Sequence, residues 1–526
     1  MKGTKNGIIK NNIKRRPSLS KPQTFLSLGR QDISRVPILL LTAFISALAI
    51  QSRISIEQLF GGFLITSVLL FILYKDIMRY KPAYINNYNM LILLCFLLVF
   101  NLLIGRLFNY LLYSLSKGTG FVSLEGAIFG MPLPAGAMLV TLLFDFHTAI
   151  TFSFTMSLLT GLWLQDASYI IYAFVGSLTA AFSVIRCKKR SALIWGGLYI
   201  VLVNITTLII ILLFEGDLFT TKTLSSMSFA MIAGVSVSAI VSLLLPLLEY
   251  TFKITTDISL LELLDLNQPI IRNLMITVPG TYHHSVIVGS LAESAAEAVG
   301  VNPLLARVSS YYHDIGKVKM PEYFIENQVV TESKHDSLTP HMSSMIIVNH
   351  IKEGVEIAKE NKIPQPIIDI IQQHHGTSLM SYFYQKAKEQ KTDILPSESD
   401  YRYPGPKPQT RVAALIMMAD AVEAASRVLT DPTPARISSL VDRIINHIFL
   451  DGQLDECELT LKDIHEIKRC FTYILTGIFH KRIDYPGFDF TDEGIYREQT
   501  KVDKVKSAEK NKSHKEGTQV PRSQRS

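Results

Sequence analysis

Residues 229–264, FAMIAGVSVSAIVSLLLPLLEYTFKITTDISLLELL, contain the change of pattern that divides the chain. Up to Leu248 the run is apolar on every side of a helix and approaches the ~20 residues needed to cross a hydrocarbon core. After Pro246-Leu247-Leu248-Glu249 the apolar runs stop. Thr255-Thr256-Asp257, ahead of Leu260-Leu261-Glu262-Leu263-Leu264, then reads as a capped amphipathic helix leaving the membrane. The mean hydropathy of +0.26 over 526 residues therefore averages two regimes, a membrane half and a half with ordinary soluble patterning.

Upstream of this junction the sequence predicts eight spans, at 36–51, 58–74, 90–112, 124–144, 147–164, 168–185, 193–214 and 229–248. The 147–164 segment is short and rich in Thr and Ser, so it could pair with 124–144 as a re-entrant hairpin. Pro132 and Pro134 mark a kink or a broken helix in the fourth span. Residues 1–35 carry nine Lys/Arg against the single acid Asp32, the pattern of a disordered cytoplasmic tail. With that tail inside, Lys75–Lys81 and Arg186-Cys187-Lys188-Lys189-Arg190 also fall inside, and the outside loops are poor in basic residues. The second half then lies in the cytoplasm, below the inner membrane. Asp145 and His147 sit near an inside turn, where topology explains them more simply than a proton relay. The formal charge of +7 is concentrated at the two ends and beside apolar segments, so the lipid bilayer, not a nucleic-acid polymer, is the expected partner. Cys95, Cys187, Cys457 and Cys470 have no paired spacing and read as reduced thiols.

Downstream, residues 251–488 show helical periodicity and almost no strand alternation, and the basic 489–526 tail reads as disordered. The expected fold class is all-α: a multi-span helical membrane domain over 36–248 followed by a helical soluble domain. Seven His/Asp residues stand out there, five of them drawn from the 13 histidines of the chain: His284, His313, Asp314, His350, His374, His375 and Asp420. His284 shares a helix face with Val288, Leu291, Ala292 and Ala295. His374 follows Ile367, Ile370 and Ile371 on one face. Asp420 continues the apolar stripe of Val412 and Ile416, where a carboxylate is costly without a cation or hydrogen bonds. Imidazole and carboxylate together suit divalent first-row metals. Two such ions about 3.5–4 Å apart can activate water and clamp a phosphodiester.

The segments GTYHHS (280–285), YYHDIGK (311–317), QQHHGT (372–377), YPGPKPQT (403–410) and MADAVEAA (418–425), with LPLLEYTFKITTDISLLELLDLNQP (245–269), resemble the HD-domain phosphohydrolases, and closely the seven-transmembrane HD group that hydrolyses cyclic di-AMP. The resemblance runs from the second span to about residue 488. It implies a phosphodiesterase producing pApA with two divalent ions, Mn or Fe. It implies one ion held by His284, His313, Asp314 and Asp420, and Asp314 bridging to a second held by His350, His374 and His375. Members usually carry a large extracytoplasmic domain between the first span and the other seven, whereas here only Ser52–Glu57 join the two.

Lys317, one turn from Asp314, is placed to neutralise a phosphate oxygen; a solvated helix-end lysine is the plainer alternative. Tyr403, Lys407 and Arg411, in the 401–411 segment, are candidate substrate contacts beside the plain reading of a connecting loop. Cyclic di-GMP hydrolysis would call for a GYP motif after HHE, which is not the pattern here. A (p)ppGpp hydrolase, a nucleotide receptor that binds without cleaving, and a transporter are the remaining readings. The sequence leaves the oligomeric state open.

Overall fold

The computed structural model describes residues 34–51, 55–119, 124–185, 187–328, 333–390 and 395–479. Most of the basic N-terminal tail, the 489–526 tail and the last residues of the second expected domain lie outside them. Among the described residues there is no strand, and the β contact recorded is an isolated bridge between Leu379 and Arg402.

Each expected span falls on helix. Five stretches are long and apolar enough to cross a membrane: Ile56–Tyr80, Tyr88–Leu115, Gly126–Leu143, Ala192–Glu215 and Thr223–Phe252, with Val36–Ile50 and Ala167–Ser183 as shorter apolar helices. The Thr/Ser-rich segment forms a helix over Phe146–Leu164 with Phe152, Met156 and Leu159 in the core. Apolar side chains also face outward, as at Phe60, Leu64 and Val68 on one helix and Trp195, Leu198 and Leu202 on another. That outward face is what lipid tails solvate. The helices Ala192–Glu215 and Thr221–Phe252 cross at two glycines: a Cβ on Gly197 would lie 2.8 Å from the carbonyl oxygen of Gly234, and one on Gly234 equally close to that of Gly197. Small residues permit such close backbone approach in a bilayer, where no hydrophobic force drives helices together.

The fourth expected span is broken. A 3-10 turn over Leu124–Gly130 gives way to a helix over Pro134–Leu143. Pro cannot donate into the preceding turn, so backbone groups are freed at the break. Asn101, 1% exposed, answers two of them: its Nδ2 donates to the Leu133 carbonyl at 2.9 Å and its Oδ1 accepts from Gly136 N–H at 3.2 Å.

At the junction the long Thr221–Phe252 helix ends, and a short helix over Asp257–Leu263 begins under a Thr256 N-cap. Arg190, from the loop after the Ala167–Ser183 helix, reaches Glu262 at 2.7 Å and Glu249 at 3.4 Å, while Thr256 also hydrogen-bonds Glu249. The basic loop is thereby tied to the exit helix on both sides of the junction.

The second half has two packed cores. One gathers Leu291, Ala295, Ile416, Val441 and Phe471 from the helices Pro279–Val299, Arg411–Ser426, Pro434–Leu450 and Leu461–Ile478. The other joins Val308, Tyr312, Ala358 and Ile371 from Pro303–Tyr312, Pro340–Glu360 and Gln365–Gln373. The Arg411–Ser426 helix is buried on all sides from Val412 to Asp420, which makes it the interior helix of the domain.

Candidate metal centre

Five helices deliver the seven His/Asp side chains to one place. His284 lies in the second turn of Pro279–Val299, His313 and Asp314 just past Pro303–Tyr312, and His350 midway along Pro340–Glu360. His374 and His375 follow Gln365–Gln373, and Asp420 sits within Arg411–Ser426. All but His375 are buried. Gly316 lets the turn after Asp314 press onto the His350 helix. A Cβ there would meet the His350 carbonyl oxygen at 1.9 Å and Gly354 N at 2.5 Å.

Four imidazoles are oriented in the same way. The Nδ1 of His313 is 2.6 Å from Ser310 O, that of His350 is 2.5 Å from Ile347 O, and that of His374 is 2.8 Å from Ile371 O. His284 Nδ1 meets the Glu423 carboxylate at 2.5 Å. An acceptor at Nδ1 fixes the proton there and leaves Nε2 as a lone pair. Those Nε2 atoms gather around Asp314. Oδ2 of Asp314 is 3.2 Å from His313 Nε2 and 3.8 Å from His284 Nε2, and Oδ1 is 3.4 Å from His350 Nε2 and 3.7 Å from His374 Nε2. Asp420 adds Oδ1 at 3.0 Å from His284 Nε2 and Oδ2 at 3.6 Å from His375 Nδ1.

The donor set fits divalent metal. His313 Nε2 and Asp314 Oδ1 are buried without a hydrogen-bond partner. His350 Nε2 and His374 Nε2 face each other at 3.4 Å, two lone pairs that repel unless a cation lies between them. The ligand atoms fall into two groups, each within 4.8 Å: Asp314, His350, His374 and His375, and His284, His313 and Asp420. The two Asp314 oxygens face these groups separately.

Without a cation, electrostatics favour the ligating protonation state at His350, His374, His375, Asp314 and Asp420, but not at His284. Burial pushes His350 and His374 below the usual imidazole range, and takes His375 down to about 3. His284 moves the other way: burial alone would lower it, but hydrogen bonds with Asp420 and Glu423 bring it up to about 10. For Asp314 burial is overcome by the charges of His313 and Lys317, which hold the carboxyl well below its ordinary value. Asp420 is likewise lowered against burial, chiefly through its hydrogen bond with His284.

A cleft of about 560 Å³ opens onto this centre, with Lys317, Phe324, Glu326, Tyr403, Glu423 and Arg427 in its walls. Lys317 is fixed between Asp314 Oδ2 at 2.7 Å and Glu326 Oε1 at 2.8 Å, over the ring of Phe324. The two carboxylates raise its pKa against the effect of burial. Tyr403 stacks on His375 with ring centroids 4.3 Å apart. Lys407 and Arg411, expected beside Tyr403 as substrate contacts, are not brought to the cleft. Lys407 faces Asp455 at 3.5 Å, and Arg411 bonds the Val299 carbonyl and Asp463. Both therefore serve the helix packing behind the 401–411 segment.

Sequence reasoning missed three groups. Glu423, 2% exposed, orients His284 and is itself held by Arg427 at 2.6 Å. Glu326 holds Lys317 and accepts from Thr281 at 3.0 Å. Arg427 lines the cleft beside Glu423. The signal for Glu423 was its i+3 spacing from Asp420 on a buried helix; for Glu326 there was none.

An all-helical domain that brings an adjacent His-Asp pair together with four histidines and a second aspartate is an HD domain. Residues 281–425 match the HD domain family, and residues 56–256 match the family described as 7TM receptor with intracellular HD hydrolase. The chain thus carries, in order, a membrane segment of this 7TM–HD type and an HD domain. It is 39% identical over 364 residues to the cyclic-di-AMP phosphodiesterase PgpH of Bacillus subtilis, covering 68% of this chain and 51% of that protein. It is 44% identical over 342 residues to PgpH of Listeria monocytogenes, covering 64% and 47%. The chain thus spans about half the length of the curated relatives it matches. A crystal structure of the L. monocytogenes PgpH HD domain in complex with cyclic di-AMP shares 51% identity, covers 41% of this chain and 100% of that one, and has a TM-score of 0.39.

Proposed function

We propose that this chain is a membrane-bound, metal-dependent phosphodiesterase that hydrolyses cyclic di-AMP to pApA. The observation that carries the reading is the convergence of buried lone pairs, with His313 Nε2 and Asp314 Oδ1 unpartnered among His284, His350, His375 and Asp420, which line an open cleft. The two PgpH relatives, each named a cyclic-di-AMP phosphodiesterase, support the choice of substrate.

His284, His313 and Asp420 would hold one divalent ion and His350, His374 and His375 a second, with Asp314 offering a carboxylate oxygen toward each group. Mn or Fe suits this mixed donor set. When bound, the pair supplies an activated water and Lewis acidity toward the phosphodiester. Lys317 neutralises charge on a non-bridging phosphate oxygen, its Nζ oriented by Asp314 and Glu326. The Tyr403 ring, packed on His375, forms the wall nearest the base. Residues 36–248 are the membrane domain and 251–488 the catalytic domain. The N-terminus and the catalytic domain face the cytoplasm, the side to which the basic loops assign them.

The test is turnover by the full chain in liposomes with Mn²⁺ or Fe²⁺, offered cyclic di-AMP, cyclic di-GMP and ppGpp in parallel. Release of pApA from cyclic di-AMP, ahead of cleavage of the other two, is the expected result. Tight nucleotide binding with no cleavage under either metal would replace the enzyme with a receptor.

A further inference from the structure

A second hollow, of about 750 Å³, lies where the last membrane helix meets the HD domain. One wall is the end of the Thr221–Phe252 helix with the following turn, and the other is the loop between the helices Pro340–Glu360 and Gln365–Gln373. It shares no lining residue with the metal cleft.

Three lysines line it: Lys253 from the membrane side, Lys359 and Lys362 from the HD side. Among the described residues none of the three has an ion-pair partner. The sole acid in the lining is Glu249, and its carboxylate is already engaged by Arg190 and Thr256. Three uncompensated ammonium groups therefore surround a concave space. A lysine at a helix end meets the carboxyl-end dipole wherever it sits. The dipole does not dictate that three of them converge on one hollow. Lys253 (φ 54°) and Lys362 (φ 56°) each take the left-handed conformation that closes a helix C-terminus.

The lining of the hollow reaches the exposed apolar side of the same helix. Leu243, Leu247 and Tyr250 follow one another at helical spacing, exposed by 76%, 57% and 79%, and Tyr250 forms the lip. An apolar stripe ending in an aromatic and then in lysines matches an acyl chain, an interface and an anionic headgroup in that order.

We propose that this hollow binds the phosphate headgroup of an anionic phospholipid, clamped by Lys253, Lys359 and Lys362 while the acyl chain runs along Leu243 and Leu247. The lipid then bridges membrane helix and HD domain directly. The site is independent of the nucleotide taken at the metal centre, and its test does not read turnover.

The experiment measures retention of spin-labelled phosphatidylglycerol and phosphatidylcholine by the full chain purified in detergent, with and without inorganic phosphate as competitor. The wild-type chain should retain phosphatidylglycerol selectively, with inorganic phosphate a poor competitor. Each of Lys253→Gln, Lys359→Gln and Lys362→Gln should weaken it about fivefold, and the triple variant on the order of a hundredfold, with phosphatidylcholine unchanged. The single variants carry the test if the triple variant misfolds. Unchanged phosphatidylglycerol retention in all variants overturns the site. Displacement by inorganic phosphate as effective as by lipid overturns the lipid in favour of a soluble phosphate anion.

Discussion

In the membrane half, Thr42, Thr66, Ser153 and Thr160 are buried, and each donates its hydroxyl to the carbonyl four residues back, at 2.6–2.8 Å. In the HD half, His313, His350 and His374 are buried too, and each satisfies one nitrogen on the carbonyl three residues back. The hydroxyls are finished by their own helices and ask nothing of their neighbours. The imidazoles keep a second nitrogen, and all of them aim it at the same place. Local satisfaction makes a polar group compatible with an apolar interior. Half-satisfaction, repeated on several helices around one point, marks a site for something the chain itself does not supply.

The most direct way to break that contrast is to remove the shared carboxylate. His313→Ala/Asp314→Ala should abolish pApA release while leaving the helical circular dichroism intact; surviving turnover would mean the convergence is structural. A subtler change, Glu423→Gln, leaves every predicted ligand in place but weakens the hold on His284 Nδ1. Metal affinity measured by chelator competition should fall about 10–100-fold.

Local satisfaction is not universal in the membrane half, and Asn101 is one exception, serving a break on another helix. Asn101→Ala strands the Leu133 carbonyl and the Gly136 N–H, and should cost about 1–3 kcal/mol in denaturation of the micelle-solubilised chain. A cost near zero would show that the break is satisfied some other way.

The smallest expected effect lies outside both interiors. Burial tends to raise the Asp451 carboxyl, but hydrogen bonds with Arg402 and Gln453 prevail and hold it below the ordinary carboxylate range. A lowered folded-state pKa contributes stability that is present above the unfolded value of about 3.9 and lost as pH falls through the folded one. Asp451→Asn should therefore flatten the acid limb of a stability–pH profile, with its loss of stability fully present at pH 7 and shrinking toward wild type at the acid end.

The seven His/Asp positions were legible because helical spacing puts residue types that dislike apolar faces onto apolar faces. Asp420 in VAALIMMAD is the clearest case. Pro132 and Pro134 likewise announced the broken fourth segment, since proline acts through its own backbone. Glu423 was hidden because a glutamate beside alanines reads as a solvated helix face until the neighbouring helix is placed. Glu326 sits among 3-10 turns, where no period assigns an inward side. Lys407 and Arg411 show the converse failure: loop composition supplied the right chemistry but not the direction in which the side chains point.

Gly316 touches none of the ligand atoms, yet it fixes how far apart the two ligand groups lie. The turn carrying Asp314 rests on the backbone of the His350 helix, with no side chain between them. Backbone does not compress, so this contact behaves as a gauge block between the two halves of the centre. A methyl group at residue 316 would have to lift the Asp314 turn off the His350 helix, respacing the His/Asp cluster while every side chain in it keeps its identity.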